Sequence, residues 1–176
     1  MNIFVLNSGR CGSTTFIKAC QHITNYTSAH ESLLTETGVN RLNYADNHIE
    51  ADNRLCWFLG RLDETFGDNA YYVHLSRKPE DTADSFSKRI DFGILKAYEQ
   101  GILMHNKHKL SAHEIAADYI ETIESNIRLF LKDKSNTMEI SLETIKTDFP
   151  EFWKRINAQG DLAKALKELD INYNAS

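Results

Sequence analysis

Short apolar runs and segments of helical spacing alternate along this chain. Residues Ile3 to Leu6 form an apolar run, and Ala70 to Ser76 combine aromatic and β-branched side chains, so both segments are predicted to be buried strands. Shorter extended segments are predicted over residues 25–29, 49–51 and 137–140. Continuous apolar runs of this kind are typical of a parallel sheet that is covered on both faces.

Helical spacing of apolar residues occupies the segments between these strands. The longest helix is predicted to follow Ser111, which forms a capping box with Glu114 ahead of a long apolar face. Pro150 is expected to begin a further helical turn. The remaining helices are predicted over residues 13–23, 53–66, 79–89, 92–104 and 161–166.

The alternation of strands and helices predicts the fold class. We expect an α/β three-layer sandwich with a mostly parallel central sheet. A length of 176 residues with 41% hydrophobic residues is enough for one core, so residues 1–176 are predicted to form a single domain. Ligands of such sheets bind beyond the carboxyl ends of the strands, and the functional residues are expected there.

The turn after the first predicted strand has the features of an anion-binding loop. Gly9 and Gly12 permit the backbone angles and the close approach that a phosphate-cradling loop requires. Ser13 and Thr14 open the next helix, whose free N–H groups and dipole favour an anion, and Arg10 adds a positive charge. The turn is therefore predicted to bind a phosphate or sulfate group, with an ordinary strand-to-helix turn and a serine N-cap as the alternative.

The loop departs from the phosphate-binding motif of P-loop kinases, G-x-x-x-x-G-K-[ST]. Ser13 stands where that motif has lysine, and Asn7 stands where it has its first glycine. The lysine that reaches the outer phosphates is thus missing from the loop. A P-loop kinase of small metabolites is disfavoured on these grounds and stays an alternative.

A second arginine is predicted at the end of a later strand. Arg77 follows the strand that ends at Ser76, and Pro79 suits the first turn of a helix. On that helix Asp81 and Ser85 stand four positions apart and share a face. Arg77 and Ser85 can therefore reach one anion from two directions, unless Arg77 pairs with a nearby carboxylate and Ser85 faces solvent.

The order Arg-Cys-Gly-Ser-Thr in this loop resembles the 5′-phosphosulfate loop of the sulfotransferase family, whose members use 3′-phosphoadenosine 5′-phosphosulfate (PAPS) as the sulfuryl donor. The spacing Arg77-x-x-x-Asp81-x-x-x-Ser85 resembles the 3′-phosphate-binding motif of the same family. The likeness covers residues 1–90, is closer to bacterial and carbohydrate-type members and implies a P-loop-like nucleotide-binding topology. It implies that the donor is bound by Arg10, Cys11, Gly12, Ser13, Thr14, Thr15, Arg77 and Ser85.

Sulfuryl transfer requires stabilisation of charge on the leaving phosphate oxygen and a base for the acceptor hydroxyl. Arg10 is the candidate for the leaving-group charge. Glu31 and His30 are the candidates for the base, because the second strand delivers them beside the loop, and the resemblance favours Glu31. Since side chains alternate along a strand, only one of the two is expected to point at the loop. His74 lies within a predicted strand and is interpreted as structural.

The sequence also departs from the family pattern. The late Arg-Lys-Gly segment with which cytosolic sulfotransferases further hold the 3′-phosphate has no counterpart here. Phe16 is a candidate to stack on the adenine, and His48, Glu50, Asp52 and Arg54 form a polar cluster that lines either the acceptor pocket or a solvated loop. Because the chain is short, completion of the acceptor site by a second copy in a homo-oligomer is an open expectation.

Composition and charge narrow the function classes. A net charge of -5 argues against a nucleic-acid partner. No segment reaches the roughly 20 apolar residues needed to cross a bilayer, and no signal-peptide pattern begins the chain, so no membrane partner is expected. Three cysteines without framework spacing favour a reducing, cytoplasmic location. The spacing of histidines and cysteines predicts no metal site.

Three functions from different classes remain open. The first is a PAPS-dependent sulfotransferase that acts on a hydroxyl of a small-molecule or carbohydrate acceptor and releases 3′-phosphoadenosine 5′-phosphate (PAP). The second is the P-loop kinase of small metabolites. The third is a catalytically silent nucleotide-binding module whose anion sites regulate an interaction. The sequence predicts no particular acceptor.

Overall fold

The chain is described by a computed structural model that covers residues 1–105, 107–171 and 173. Its described residues form the parallel strands β1 (Ile3–Leu6), β2 (Thr27–His30), β3 (His48–Ala51), β4 (Tyr71–Ser76) and β5 (Thr137–Ser141). The strands lie in the order β2-β3-β1-β4-β5 in one sheet, and every adjacent pair is parallel. The predicted parallel sheet is therefore confirmed.

Helices cover both faces of this sheet. The α-helices of the described residues are α1 (Ser13–Cys20), α2 (Leu59–Phe66), α3 (Pro79–Ser87), α4 (Gly93–Ala97), α5 (Ala112–Leu131), α6 (Ile145–Arg155) and α7 (Leu162–Glu168). Short 3-10 helices span Gly38–Leu42, Asn53–Trp57 and Gly67–Asn69, and a π-helical turn spans Tyr98–Ile102. Within the described part of the chain, no helix has both the length and the apolar character that crossing a membrane requires.

Alternating side chains of β1 enter two separate hydrophobic cores. Ile3 and Val5 pack with buried residues of α1, α6 and α7 on one face of the sheet. Phe4 and Leu6 pack with buried residues of α2, α3 and α5 on the other face. All four side chains are fully buried, so β1 lies at the centre of the middle layer. The predicted α/β three-layer sandwich is thus confirmed.

The prediction that Pro150 begins a helical turn is wrong. Pro150 lies inside α6, which begins at Ile145. A proline at this depth removes one backbone hydrogen bond of the helix. The helix continues through it because Phe149, Phe152 and Trp153 bury their side chains against the sheet.

The order of the strands opens a crevice at the carboxyl end of β1. This strand lies between β3 and β4, and the chain runs toward one edge of the sheet after β1 and toward the other edge after β3. The loops that follow β1, β3 and β4 therefore leave the same end of the sheet side by side. Such a switch point is where open α/β sheets bind their ligands.

Candidate functional site

A cavity of about 900 Å³ lies at the carboxyl ends of the strands. Its walls come from the loop after β1, the ends of β2 and β4, the turn after β3 and the helix α3. The predicted site residues that line it are Arg10, Gly12, Ser13, Thr14, Thr15, His30, Glu31, Arg77 and Ser85. The fold therefore brings these residues together in one cavity, whereas Cys11 is not among the lining residues.

The loop between β1 and α1 passes through left-handed backbone conformations. The φ angle is 98° at Gly9, 60° at Arg10 and 81° at Gly12. A Cβ atom at Gly12 would lie 2.6 Å from Leu142 Cδ1, and one at Gly9 would lie 2.9 Å from Phe86 Cζ. Both glycines are therefore required by their backbone angles and by the space around them.

The first turn of α1 presents its N–H groups without a capping side chain. Its N-cap is Gly12, so the alternative of a serine N-cap does not apply. Glycine has no side chain that could accept hydrogen bonds from these N–H groups, and the positive end of the helix dipole adds to their field. The end of the helix at the cavity is thus suited to an anion.

One hydrogen bond within the loop and one from α5 fix the shape of the loop. Asn7 Oδ1 accepts a hydrogen bond from the Gly9 N–H at 2.9 Å, and Tyr119 Oη donates to the Ser8 carbonyl oxygen at 2.9 Å. Asn7, Ser8 and Tyr119 are all buried. Because α5 supplies the tyrosine, the loop is tied to the helical layer as well as to its own strand.

Cys11 contributes to the loop and not to the cavity wall. Its thiol is 1% exposed, donates a hydrogen bond to the Gly9 carbonyl oxygen at 3.1 Å and lies 3.6 Å from Ser8 Oγ. Burial raises the pKa of Cys11 to about 12, so the thiol stays protonated at neutral pH. The buried thiol therefore does not supply the predicted contact between Cys11 and the donor.

Arginines converge at the boundary between the loop and α3. Arg10 Nε donates a hydrogen bond to Ser85 Oγ at 2.9 Å, and Arg77 Nη1 donates to the Arg10 carbonyl oxygen at 3.4 Å. Burial lowers the pKa of Arg10 below its ordinary value, and the positive charges of Arg89 and Arg77 lower it further. Like charges that face one volume favour a bound anion.

The hydroxyls that follow the loop have different surroundings. Ser13 Oγ lies 3.0 Å from His30 Nε2, so the first helical turn contacts the end of β2. Thr15 Oγ1 donates a hydrogen bond to the Ile171 carbonyl oxygen at 3.2 Å, which connects α1 to the segment after α7. Thr14 lines the cavity with both of them.

His30 and Glu31 both line the cavity. The expectation that only one of these side chains points at the loop is not met. The strand β2 ends at His30, and Glu31 has a left-handed φ of 55°, so the alternation of side chains along a strand does not extend to Glu31. The Glu31 N–H still donates to the Ala51 carbonyl oxygen at 3.0 Å, which continues the sheet by one bond. Glu31 Oε2 lies 3.0 Å from Arg54 Nη1, and both side chains remain partly exposed.

The polar cluster from His48 to Arg54 is mainly structural. Glu50 and Asp52 are fully buried and lie outside the cavity lining. For these two residues, the predictions of an acceptor-pocket wall and of a solvated loop are therefore both wrong. Glu50 Oε2 lies 2.9 Å from His48 Nε2, and Asp52 pairs with Arg41. Buried carboxylates require partners, which His48 supplies for Glu50 and Arg41 supplies for Asp52. Arg54 reaches the cavity and meets Glu31 there.

Two aromatic residues named in the sequence prediction lie away from the cavity. His74 is buried, and its Nε2 atom lies 2.6 Å from Glu124 Oε2 on α5, in agreement with a structural role. Phe16 is fully buried between Phe149 and Phe152, with ring centroids 5.4 and 5.2 Å away. The suggestion that Phe16 stacks on the adenine is therefore wrong.

Basic and apolar residues that were not predicted also line the cavity. Lys88 and Arg89 follow α3, and Phe92 and Ile94 lie just beyond them. Arg89 stands four positions after Ser85, so helical spacing along the predicted helix 79–89 could have identified it. No sequence signal marks Phe92 and Ile94, since their place in the wall depends on how α4 packs.

Two solved structures that match this fold are sulfotransferases. The sulfotransferase domain from the curacin biosynthetic pathway matches with a TM-score of 0.65 and 13% sequence identity, over 99% of this chain and 78% of that chain. The mouse sulfotransferase SULT7A1, complexed with PAP, matches with a TM-score of 0.55 and 15% identity, over 99% of this chain and 68% of that chain. No protein-family model and no curated protein matches the sequence. The chain therefore has a sulfotransferase-like P-loop fold.

Proposed function

We propose that the chain is a sulfotransferase that transfers a sulfuryl group from PAPS to a hydroxyl of a small-molecule or carbohydrate acceptor. The observation that carries this proposal is the hydrogen bond from Arg10 Nε to Ser85 Oγ at 2.9 Å. It joins, in one cavity, the loop predicted to bind the 5′-phosphosulfate and the helix predicted to bind the 3′-phosphate. The fold adds support, because a matched sulfotransferase structure holds PAP.

The residues of the cavity fit a nucleotide that carries two separate phosphate groups. The open N-terminus of α1, Ser13, Thr14 and Arg10 suit the 5′-phosphosulfate. Arg77, at the end of β4, and Ser85, on α3, suit the 3′-phosphate. A volume of about 900 Å³ is within the usual range for pockets that hold small molecules and cofactors.

In the proposed reaction, the acceptor hydroxyl oxygen bonds to sulfur while the bond from sulfur to the 5′-phosphate oxygen breaks. The electron pair of the broken bond leaves with PAP, and Arg10 and the loop N–H groups stabilise that charge. Glu31 accepts the hydroxyl proton as the general base. Arg54, 3.0 Å from the Glu31 carboxylate, orients this base.

A comparison of melting temperatures with PAP and with ATP tests the proposal. PAP without magnesium should raise the melting temperature markedly more than ATP does, because Arg77 and Ser85 serve a phosphate that ATP lacks. A ligand at 100 times its dissociation constant stabilises a protein by about 2.7 kcal/mol. For a chain of this size that corresponds to roughly 5 to 10 °C. Equal or greater stabilisation by ATP with magnesium would favour the kinase instead.

A further inference from the structure

Arg89 extends the face of α3 that carries Ser85. The helix ends at Ser87, but the Arg89 N–H donates to the Phe86 carbonyl oxygen at 2.8 Å, so the chain continues to turn as far as Arg89. Residues four positions apart on such a turn share a face, and Ser85 and Arg89 both line the cavity. Arg89 is therefore placed beside the serine that is proposed to bind the 3′-phosphate.

The charge of Arg89 also acts on the phosphate loop. Burial is the largest cause of the lowered pKa of Arg10. Repulsion from the charge of Arg89 is the second cause, and it is larger than the repulsion from Arg77. Asp81 and Asp84 of α3 line the same cavity and offset part of this positive charge. An anion with several charges would relieve the remaining repulsion among the three arginines.

The later part of the chain supplies no further cation to the cavity within the residues that the structure describes. Beyond Ile94 the lining consists of Leu142, Leu169, Asp170 and Ile171. A phosphate monoester carries about two negative charges. Arg77 uses one nitrogen to donate to the Arg10 carbonyl oxygen at 3.4 Å. A second cation near Ser85 would therefore complete the charge balance of a 3′-phosphate.

We infer that Arg89 binds the 3′-phosphate of the nucleotide together with Arg77 and Ser85. The inference rests on the proposed function, because it requires a 3′-phosphorylated nucleotide in the cavity. Arg89 takes the place of the late basic segment that the sequence lacks. It thereby contributes to the selectivity of the site for PAP over AMP, which has no 3′-phosphate.

Calorimetric titrations of PAP and AMP into the wild-type chain and its variants test this role. Arg89→Ala and Arg89→Gln should lower the affinity for PAP about tenfold or more and change the affinity for AMP less than about twofold. Arg89→Lys keeps the charge and should retain most of the PAP affinity. Lys96→Ala is the matched control, because Lys96 lies on α4 outside the cavity lining and its loss removes the same charge. It should bind PAP as the wild type does.

The outcomes separate this inference from the proposed function. If the wild type prefers PAP to AMP but both neutral variants bind PAP as tightly as the wild type, Arg89 is not a ligand of the 3′-phosphate and the proposed function stands. Equal losses of PAP and AMP affinity would also overturn the inference. If the wild type itself binds AMP as tightly as PAP, both proposals fail. Arg89→Gln retains much of the side-chain volume and serves where Arg89→Ala does not fold.

Discussion

At the scale of single residues, the proposed base is distinguished by its surroundings. His30 is engaged with Ser13 at 3.0 Å, so its ring contacts the first turn of α1. Glu31 lies one position further along, where Arg54 meets its carboxylate at the cavity wall. A general base must come within hydrogen-bond reach of the acceptor hydroxyl. We therefore propose that Glu31 accepts the proton and that His30 positions Ser13.

Glu31→Gln should preserve the fold and the affinity for PAP while lowering turnover by roughly 100-fold or more, which is the usual range for general-base catalysis. The amide keeps the size of the carboxylate but cannot accept the proton. Rates measured with labelled PAPS, together with calorimetry of PAP binding, check both parts of this expectation. His30→Gln is the matched variant and should lower turnover less.

The reverse order of effects would assign the base to His30. Unchanged turnover in both variants would exclude both side chains as the base.

At the scale of elements, the loop between β1 and α1 depends on the glycine that caps the helix. Gly12→Ala should destabilise the chain by about 1 to 3 kcal/mol, because the residue has a φ of 81° and a Cβ would lie 2.6 Å from Leu142 Cδ1. Gly60→Ala on α2 is the control, since nothing lies within 4 Å of its Cβ position. Alanine there should be neutral or stabilise the helix by up to about 1 kcal/mol.

Urea denaturation of the two variants measures this difference as a shift of the midpoint. A Gly12→Ala variant as stable as Gly60→Ala would show that the loop tolerates a side chain and is not held in the shape described.

The elements that the sequence predicts well are those with strong local signals. The predicted strand Ile3 to Leu6 has the same first and last residues as β1, and the predicted capping box of Ser111 and Glu114 forms at the start of α5. The sequence predicts one helix over residues 53–66, but a 3-10 helix precedes α2, because Asp52 accepts a hydrogen bond from the Arg54 N–H at 2.8 Å. That local bond favours a tight turn over the regular helix, which helical spacing alone does not reveal.

At the scale of the whole molecule, the site depends on contacts between residues far apart in sequence. Arg10, Arg77 and Ser85 could be named in advance because each belongs to a local motif. The burial of Glu50 and Phe16 could not, since it depends on which strands and helices pack against them. The placement of Arg89 could be predicted in part. Helical spacing predicts that Arg89 shares a helix face with Ser85, but it does not predict that this face lines the cavity.

The central claim is that the fold assembles one site for a bisphosphorylated nucleotide from the loop after β1 and the motif after β4. The most direct test is calorimetry of PAP and AMP with the wild type and with Arg77→Ala. The variant should lose about 2 to 4 kcal/mol of PAP binding free energy, because a charge-assisted contact to the 3′-phosphate is removed. Its affinity for AMP should change little. Equal losses for PAP and AMP would contradict the account, since Arg77 would then not be a ligand of the 3′-phosphate.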